Sequence, residues 1–123
     1  MKRQQRGVTN EYRTGNFLNE RGYFTVRSAG SRGPFDIIGH NLQTGYVKFV
    51  QSKSNGYFGD SDLQGLHFWR GHFVPDYFHV ELWDWQDGLQ YPAIHIFNKD
   101  GSITQINLNP KLTKFFTHIT YLI

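Results

Sequence analysis

The first periodic stretch runs from about Thr9 to Arg21, and it predicts a helix. Thr9 can cap its start, and Gly22 is a natural stop. Gly15 weakens the helix interior, yet Glu11, Gly15 and Leu18 share one face, and the small Gly15 lets that face pack closely. The pattern then changes to short apolar runs. "YFTVRSA" reads as a strand, "FDIIGH" as a second and "GYVKFVQSK" as a third, with "GSRGP" and "NLQTG" as the connections. Three successive strands after a helix predict the start of an antiparallel meander. "DSDLQGLHFWRGHF" returns to a helical pattern, with Ser61 and Gln64 spaced as a capping box and Pro75 preventing much extension. "DYFHVELWDW" alternates, with Phe78, Val80 and Leu82 on one face. "AIHIF" and "ITQINL" are further strands around the turn "NKDGS". The tail from Pro110 carries a short helical pattern with Leu112, Phe115 and Phe116. This order predicts an α/β or α+β domain with a mixed sheet.

Composition narrows the picture. A chain of 123 residues is enough for one domain, 1–123, with one modest core. Aromatics reach 17%, which supplies large buried area per residue and also surfaces on which bases can stack. The net charge of +3 is a mild bias towards polyanions. Its distribution says more. Lys2, Arg3 and Arg6 open the chain, Arg21, Arg27 and Arg32 follow, and every acid except Glu11 and Glu20 lies at or after Asp36. A nucleic-acid face built from the N-terminal part would account for this, as would a solvated terminus. The absence of cysteine excludes disulfides, a thiolate nucleophile and zinc-finger sites. No apolar run approaches the roughly 20 residues that span a bilayer, and no signal-peptide pattern follows the charged start. A cytoplasmic protein is therefore expected.

One constellation carries chemistry. Asp36 opens the second predicted strand, and Gln51 and Lys53 lie two apart on the third, so their side chains share a face. Pairing of these strands across the short turn would bring Asp36 beside them, and Glu11 could reach the same place from the helix. Carboxylates of this kind hold Mg²⁺ through oxygen. The metal activates water, and a lysine orients it or neutralises charge on the phosphate. Each residue also has an ordinary role: a turn aspartate, a solvated strand lysine, a helix-start glutamate favoured by the dipole. The six histidines show no i, i+4 pair and read as ordinary strand and surface residues. No P-loop, G-x-S-x-G or dinucleotide fingerprint is present.

The segment "RGVTNEYRTGNFLNERGYFTVRSAGSRGPFDIIGHN" closely resembles the start of archaeal-type Holliday-junction resolvases, within the PD-(D/E)-x-K nuclease superfamily. The Glu11 helix, its distance to "RGY", and "VRSAGS" followed by the aspartate carry the resemblance, and "NPKLTKFF" is similar to the family's closing segment. The resemblance implies a restriction-endonuclease-like α/β core, a mixed β-sheet flanked by helices. It implies a Mg²⁺-dependent homodimer, with Mn²⁺ as a substitute ion, that cuts symmetric strands of a four-way DNA junction. It maps the metal site onto Glu11, Asp36, Gln51 and Lys53, with the backbone carbonyl of Ser52 as a further ligand. A loop serine maps to Ser31 or Ser28. Arg27 would contact DNA phosphate, with Arg6, Arg32, Lys2 and Arg3 as further DNA-binding cations. The family's arginine after the helix glutamate is Tyr12 here. Phe68 and Trp69 would serve the dimer interface, the junction centre or the core.

Gln51 stands where the family has a glutamate. Its amide oxygen can coordinate Mg²⁺, but more weakly than a carboxylate. Three outcomes are open: Gln51 acts as a neutral ligand, another acid among Glu20, Asp60 and Asp62 substitutes, or metal binding is lost and only DNA binding remains. Retained activity is the expectation, because Glu11, Asp36, Lys53 and the "RSAGS" loop are all present. The rivals are an inert DNA-junction-binding protein of the same fold and a restriction- or repair-type nuclease. A short chain with no separate sequence-reading domain suits recognition of DNA shape.

Overall fold

The computed structural model describes residues 3–28 and 33–109, with side chains from residue 7 onward in the first helix. Helix α1 spans Arg3–Glu20. Its start lies six residues before the expected one, so Thr9 is an interior residue and not the cap. Nothing in "RQQRGVTN" stops a helix, since Arg and Gln are good helix formers. Asn10, Thr14, Phe17 and Leu18 form its buried stripe. The Thr14 hydroxyl donates back to the Asn10 carbonyl (2.9 Å) and accepts from the Trp85 indole (2.8 Å), so it is satisfied at full burial. The stop is the expected one. Gly22 takes φ +89°, a left-handed conformation that glycine adopts without strain, and the last turn tightens through Arg21 N–H to the Leu18 carbonyl.

Strands β1 (Tyr23–Arg27), β2 (Ile37–Asn41) and β3 (Val47–Ser54) form the predicted meander. The turn from β2 to β3 is held by Asn41, whose Oδ1 accepts from the Gln43 and Thr44 N–H groups, and Gly45 closes it at φ +81°. Helix α2 (Asp60–His72) then crosses over to β4 (Phe78–Trp85), which pairs with β3 in parallel. β5 (Ala93–Phe97) and β6 (Ile103–Asn107) add antiparallel strands, giving a mixed sheet in the order β1-β2-β3-β4-β5-β6. α2 is capped by Gly59, and the expected Ser61–Gln64 box does not form. Asp62 sits at the third helical position, and its Oδ2 accepts from the Gly59 N–H (3.0 Å).

The sheet is covered on both faces. α1 packs Phe17 and Leu18 against Val50, Trp83 and Ile94, with the Phe17 and Trp83 rings edge to face at 5.2 Å. α2 packs Leu66 over Phe35, Val80, Leu82 and Phe97. β4 serves both layers, with Val80 and Leu82 towards α2 and Glu81, Trp83 and Trp85 on the other side. Phe68 does not join the core and is 59% exposed. Trp69 is borderline, with its ring edge against Phe35. Among the described residues no helix is long and apolar enough to cross a membrane.

Two interior strand positions break the apolar pattern. Lys48 and Glu81 are both fully buried, and their side chains form an ion pair. The Trp83 indole donates to Glu81 Oε1 (2.8 Å), and His79 Nδ1 lies 3.3 Å from the Lys48 ammonium. His79 is thus not the ordinary strand residue expected from its spacing. Burial opposes ionisation of Glu81, but Lys48, His79 and Trp83 outweigh it and hold the carboxyl below its usual range. Tyr23 lies close to this group, and burial together with Glu81 pushes its phenol up.

Candidate active site

The pairing of β2 with β3 builds the site. Ile37 stands opposite Val50, so Asp36 meets the stretch of β3 just beyond. The Asp36 N–H donates to the Val50 carbonyl (2.8 Å), and the Ser52 N–H donates to Asp36 Oδ2 (2.8 Å). Gln51 lies between the two β3 residues that Asp36 engages. Strand alternation puts Gln51 and Lys53 on the α2 side and Ser52 and Ser54 on the α1 side. On that second side Asn10 Nδ2 donates to the Ser54 hydroxyl (2.5 Å), and Thr14 Oγ1 approaches that of Ser52 (3.4 Å). These contacts seat α1 against β3 and bring Glu11 to the site.

The Glu11 carboxyl lies near that of Asp36 and opposes its ionisation. On its other side Glu11 Oε2 accepts from Arg27, at 3.0 Å from Nε and 2.9 Å from Nη2. The Arg27 guanidinium also lies 5.0 Å over the Tyr12 ring, so the side chain after the helix glutamate is a platform for this arginine. The Asp36 carboxyl is raised to about 6. Burial is the main cause, and Glu11 adds to it. The Ser52 N–H, and more weakly Lys53, act in the opposite direction. The Lys53 ammonium lies 3.3 Å from Asp62 Oδ1 on α2. Gln51 contributes a side-chain oxygen that is fully buried and has no hydrogen-bond partner, and it stands alone in this among the described residues. A buried acceptor left unpaired costs about 1–3 kcal/mol unless something binds it.

These residues fit a magnesium ion. Every donor is oxygen, which suits a hard cation. Two carboxyl groups crowd each other, and a buried amide oxygen lacks a partner. Among the described residues no three His, Asp or Glu side chains converge as metal ligands.

The structure thus brings together Glu11, Asp36, Gln51, Ser52, Lys53 and Arg27. Ser31, Arg32 and Lys2 lie outside the described residues, as do the side chains of Arg3 and Arg6 and the tail with Leu112, Phe115 and Phe116. Of the three acids considered as substitutes, Glu20 is remote at the exposed end of α1, beside Arg21. Asp62 is the one in contact with the site, through Lys53. The Lys48–Glu81 pair was not expected. Its signal was present in "VKF" and "VEL", where a charge interrupts an apolar run in each of two strands.

Neither a protein-family model nor a curated protein matches the chain. Among solved structures it is similar to that of Hjc from Archaeoglobus fulgidus, described as a Holliday junction resolvase from an archaeal hyperthermophile, with a TM-score of 0.54 and 15% identity over 84% of each chain. At that identity the likeness establishes the architecture: the chain has the mixed-sheet α/β fold seen in that archaeal resolvase.

Proposed function

We propose that this protein is a Mg²⁺-dependent endonuclease that resolves four-way DNA junctions as a homodimer. The observation that supports the reading is that Glu11 and Lys53 both act on the Asp36 carboxyl, while Gln51, on the strand that Asp36 engages, keeps a buried oxygen without a partner. Glu11, Asp36, the Gln51 Oε1 and the Ser52 carbonyl would hold the ion. When bound, the ion supplies Lewis acidity that favours ionised water and offsets charge on the scissile phosphate.

The remaining work belongs to the chain. The Ser52 N–H keeps the Asp36 carboxylate in one orientation, and Arg27 does the same for Glu11. Lys53 places a positive charge where negative charge grows on the phosphate. Arg27, with Ser31 and the N-terminal cations Lys2, Arg3, Arg6 and Arg32, would engage the DNA backbone and make binding salt-sensitive. A dimer would set two such sites against two strands of one junction.

The test is a labelled four-way junction incubated with the protein, with and without Mg²⁺ or Mn²⁺, beside Gln51→Glu. Paired symmetric nicks that require the ion support the reading. A second reading rests on Gln51 itself, whose neutral amide lowers the charge of the site. On that reading the wild type binds junctions without cutting them, and Gln51→Glu restores cleavage. Neither binding nor cutting by the two proteins would remove the junction reading.

A further inference from the structure

The site holds an acid that the catalytic constellation does not use. A carboxylate at position 51 would share a strand face with Lys53, roughly 7 Å away along the chain, and could pair with it. Gln51 cannot. In its place Asp62 approaches Lys53 from α2, with Oδ1 at 3.3 Å. The geometry of Asp62 is constrained from the other side as well, because its Oδ2 accepts from the Gly59 N–H that opens the helix. One oxygen anchors the side chain and leaves the other for Lys53. Both side chains are about three-quarters withdrawn from solvent, where an ion pair is screened less than on an open surface.

We propose that Asp62 is a positioning residue that replaces the charge missing at Gln51: it holds the Lys53 ammonium and restores the negative balance of the site. The inference rests on the nuclease reading above, because it assigns a role within that site. Asp62 does not converge with Glu11 and Asp36 as a ligand. It acts through Lys53, whose charge is felt at Asp36. With Asp62 in place, Lys53 adds little net repulsion against a divalent cation held by Asp36 and Glu11. Without it, the ammonium is free to swing and is left uncompensated.

The experiment is one double-mutant cycle on the full chain, with Asp62→Asn, Gln51→Glu and the double variant, followed by two readouts. Asn keeps an oxygen for the Gly59 N–H, so the helix start survives the loss of charge. The first readout is Mn²⁺ affinity by calorimetry without DNA. Asp62→Asn is expected to weaken it about tenfold in the wild-type background, the scale of one partly screened charge, and by less than about twofold beside Gln51→Glu. The second readout is junction cleavage, where kcat is expected to fall by a similar factor with KM within about twofold. Equal losses in both backgrounds would reduce Asp62 to a helix cap and overturn the proposal, as would no loss in either. Absence of cleavage by every variant, with the Mn²⁺ pattern as expected, would overturn the junction reading and leave the role of Asp62 standing. Silence of Mn²⁺ on all variants would overturn both.

Discussion

β3 carries a lysine near each end, and the two live in opposite circumstances. Lys48 is sealed under α1 with Glu81, and Trp83 and His79 complete the group. Lys53 is half-buried beneath α2, with Asp62 at 3.3 Å, next to a glutamine oxygen that has no partner. The neighbouring carboxyls diverge accordingly. Glu81 is fully buried but surrounded by donors, and it ionises more readily than usual. Asp36 is less deeply buried, but its burial, with Glu11 adding to it, outweighs the Ser52 N–H and Lys53, and it ionises less readily, at about 6. Burial alone therefore does not set the direction. The count of compensating donors does. A closed network is complete without a ligand and acts as structure. An open one holds charge and lone pairs in reserve for something that binds.

The sharpest way to break this contrast is to remove one charge from each end. Glu81→Ala strands a buried ammonium, and its expected cost is about 3–5 kcal/mol in unfolding free energy, read by urea titration. Replacing Lys48 and Glu81 together by Met and Leu should recover most of that loss, because no lone buried charge remains. Asp36→Asn should do the opposite to the fold. It removes a crowded carboxylate, so the metal-free protein should melt no lower at pH 8, while junction cleavage in Mg²⁺ falls by about 10²–10³-fold. A destabilised Asp36→Asn protein would refute the idea that the site carries unrelieved repulsion.

The two carboxyls also predict opposite pH responses. The folded Asp36 binds its proton up to about 6, above its ordinary value of 3.8. Its favourable contribution is complete below about pH 4 and is lost as the pH rises through 6. After a discount for its partial exposure this amounts to at most about 2 kcal/mol. The folded Glu81 is depressed, so its contribution is present above the ordinary carboxylate range and is lost as the pH falls below it. Melting curves from pH 3 to 8 on wild type and Asp36→Asn separate the two: the loss between 4 and 6 should vanish in the variant, and the acid limb should remain. Cleavage should rise over that same window, since a cation needs Asp36 ionised.

The smallest effect sharpens the role of position 51. Gln51→Glu adds a third carboxyl to a crowded site. It is expected to cost about 1 kcal/mol without a divalent ion and to recover that loss in millimolar Mg²⁺. Thermal melts with and without the ion measure both.

Much of this arrangement was legible beforehand. The three-strand meander, the crossover helix and the later strands follow from alternation and turn residues. Asp36, Gln51 and Lys53 could be brought together because a hairpin and period-2 alternation are local rules. The misreadings were also local. Thr9 and Ser61 are good capping residues, but a cap depends on where the chain leaves the helix, and helix-forming "RQQR" and the loop glycine Gly59 moved both starts. His79, Lys48 and Glu81 lie 31 and 33 residues apart in sequence, and only the parallel pairing of β3 with β4 joins them.

By itself the sequence determined the element order, the strand face that carries Gln51 and Lys53, and the identity of the acids near them. These depend on short-range geometry that repeats every two to four residues. Only the tertiary structure decided which charge is satisfied. Arg27 takes Glu11, Asp62 takes Lys53, Glu81 takes Lys48, and the Gln51 oxygen takes nothing within the described chain. Pairing of this kind is settled by which elements pack together, because a side chain lowers its energy with whatever donor the fold brings within about 3 Å, however distant that donor is along the chain.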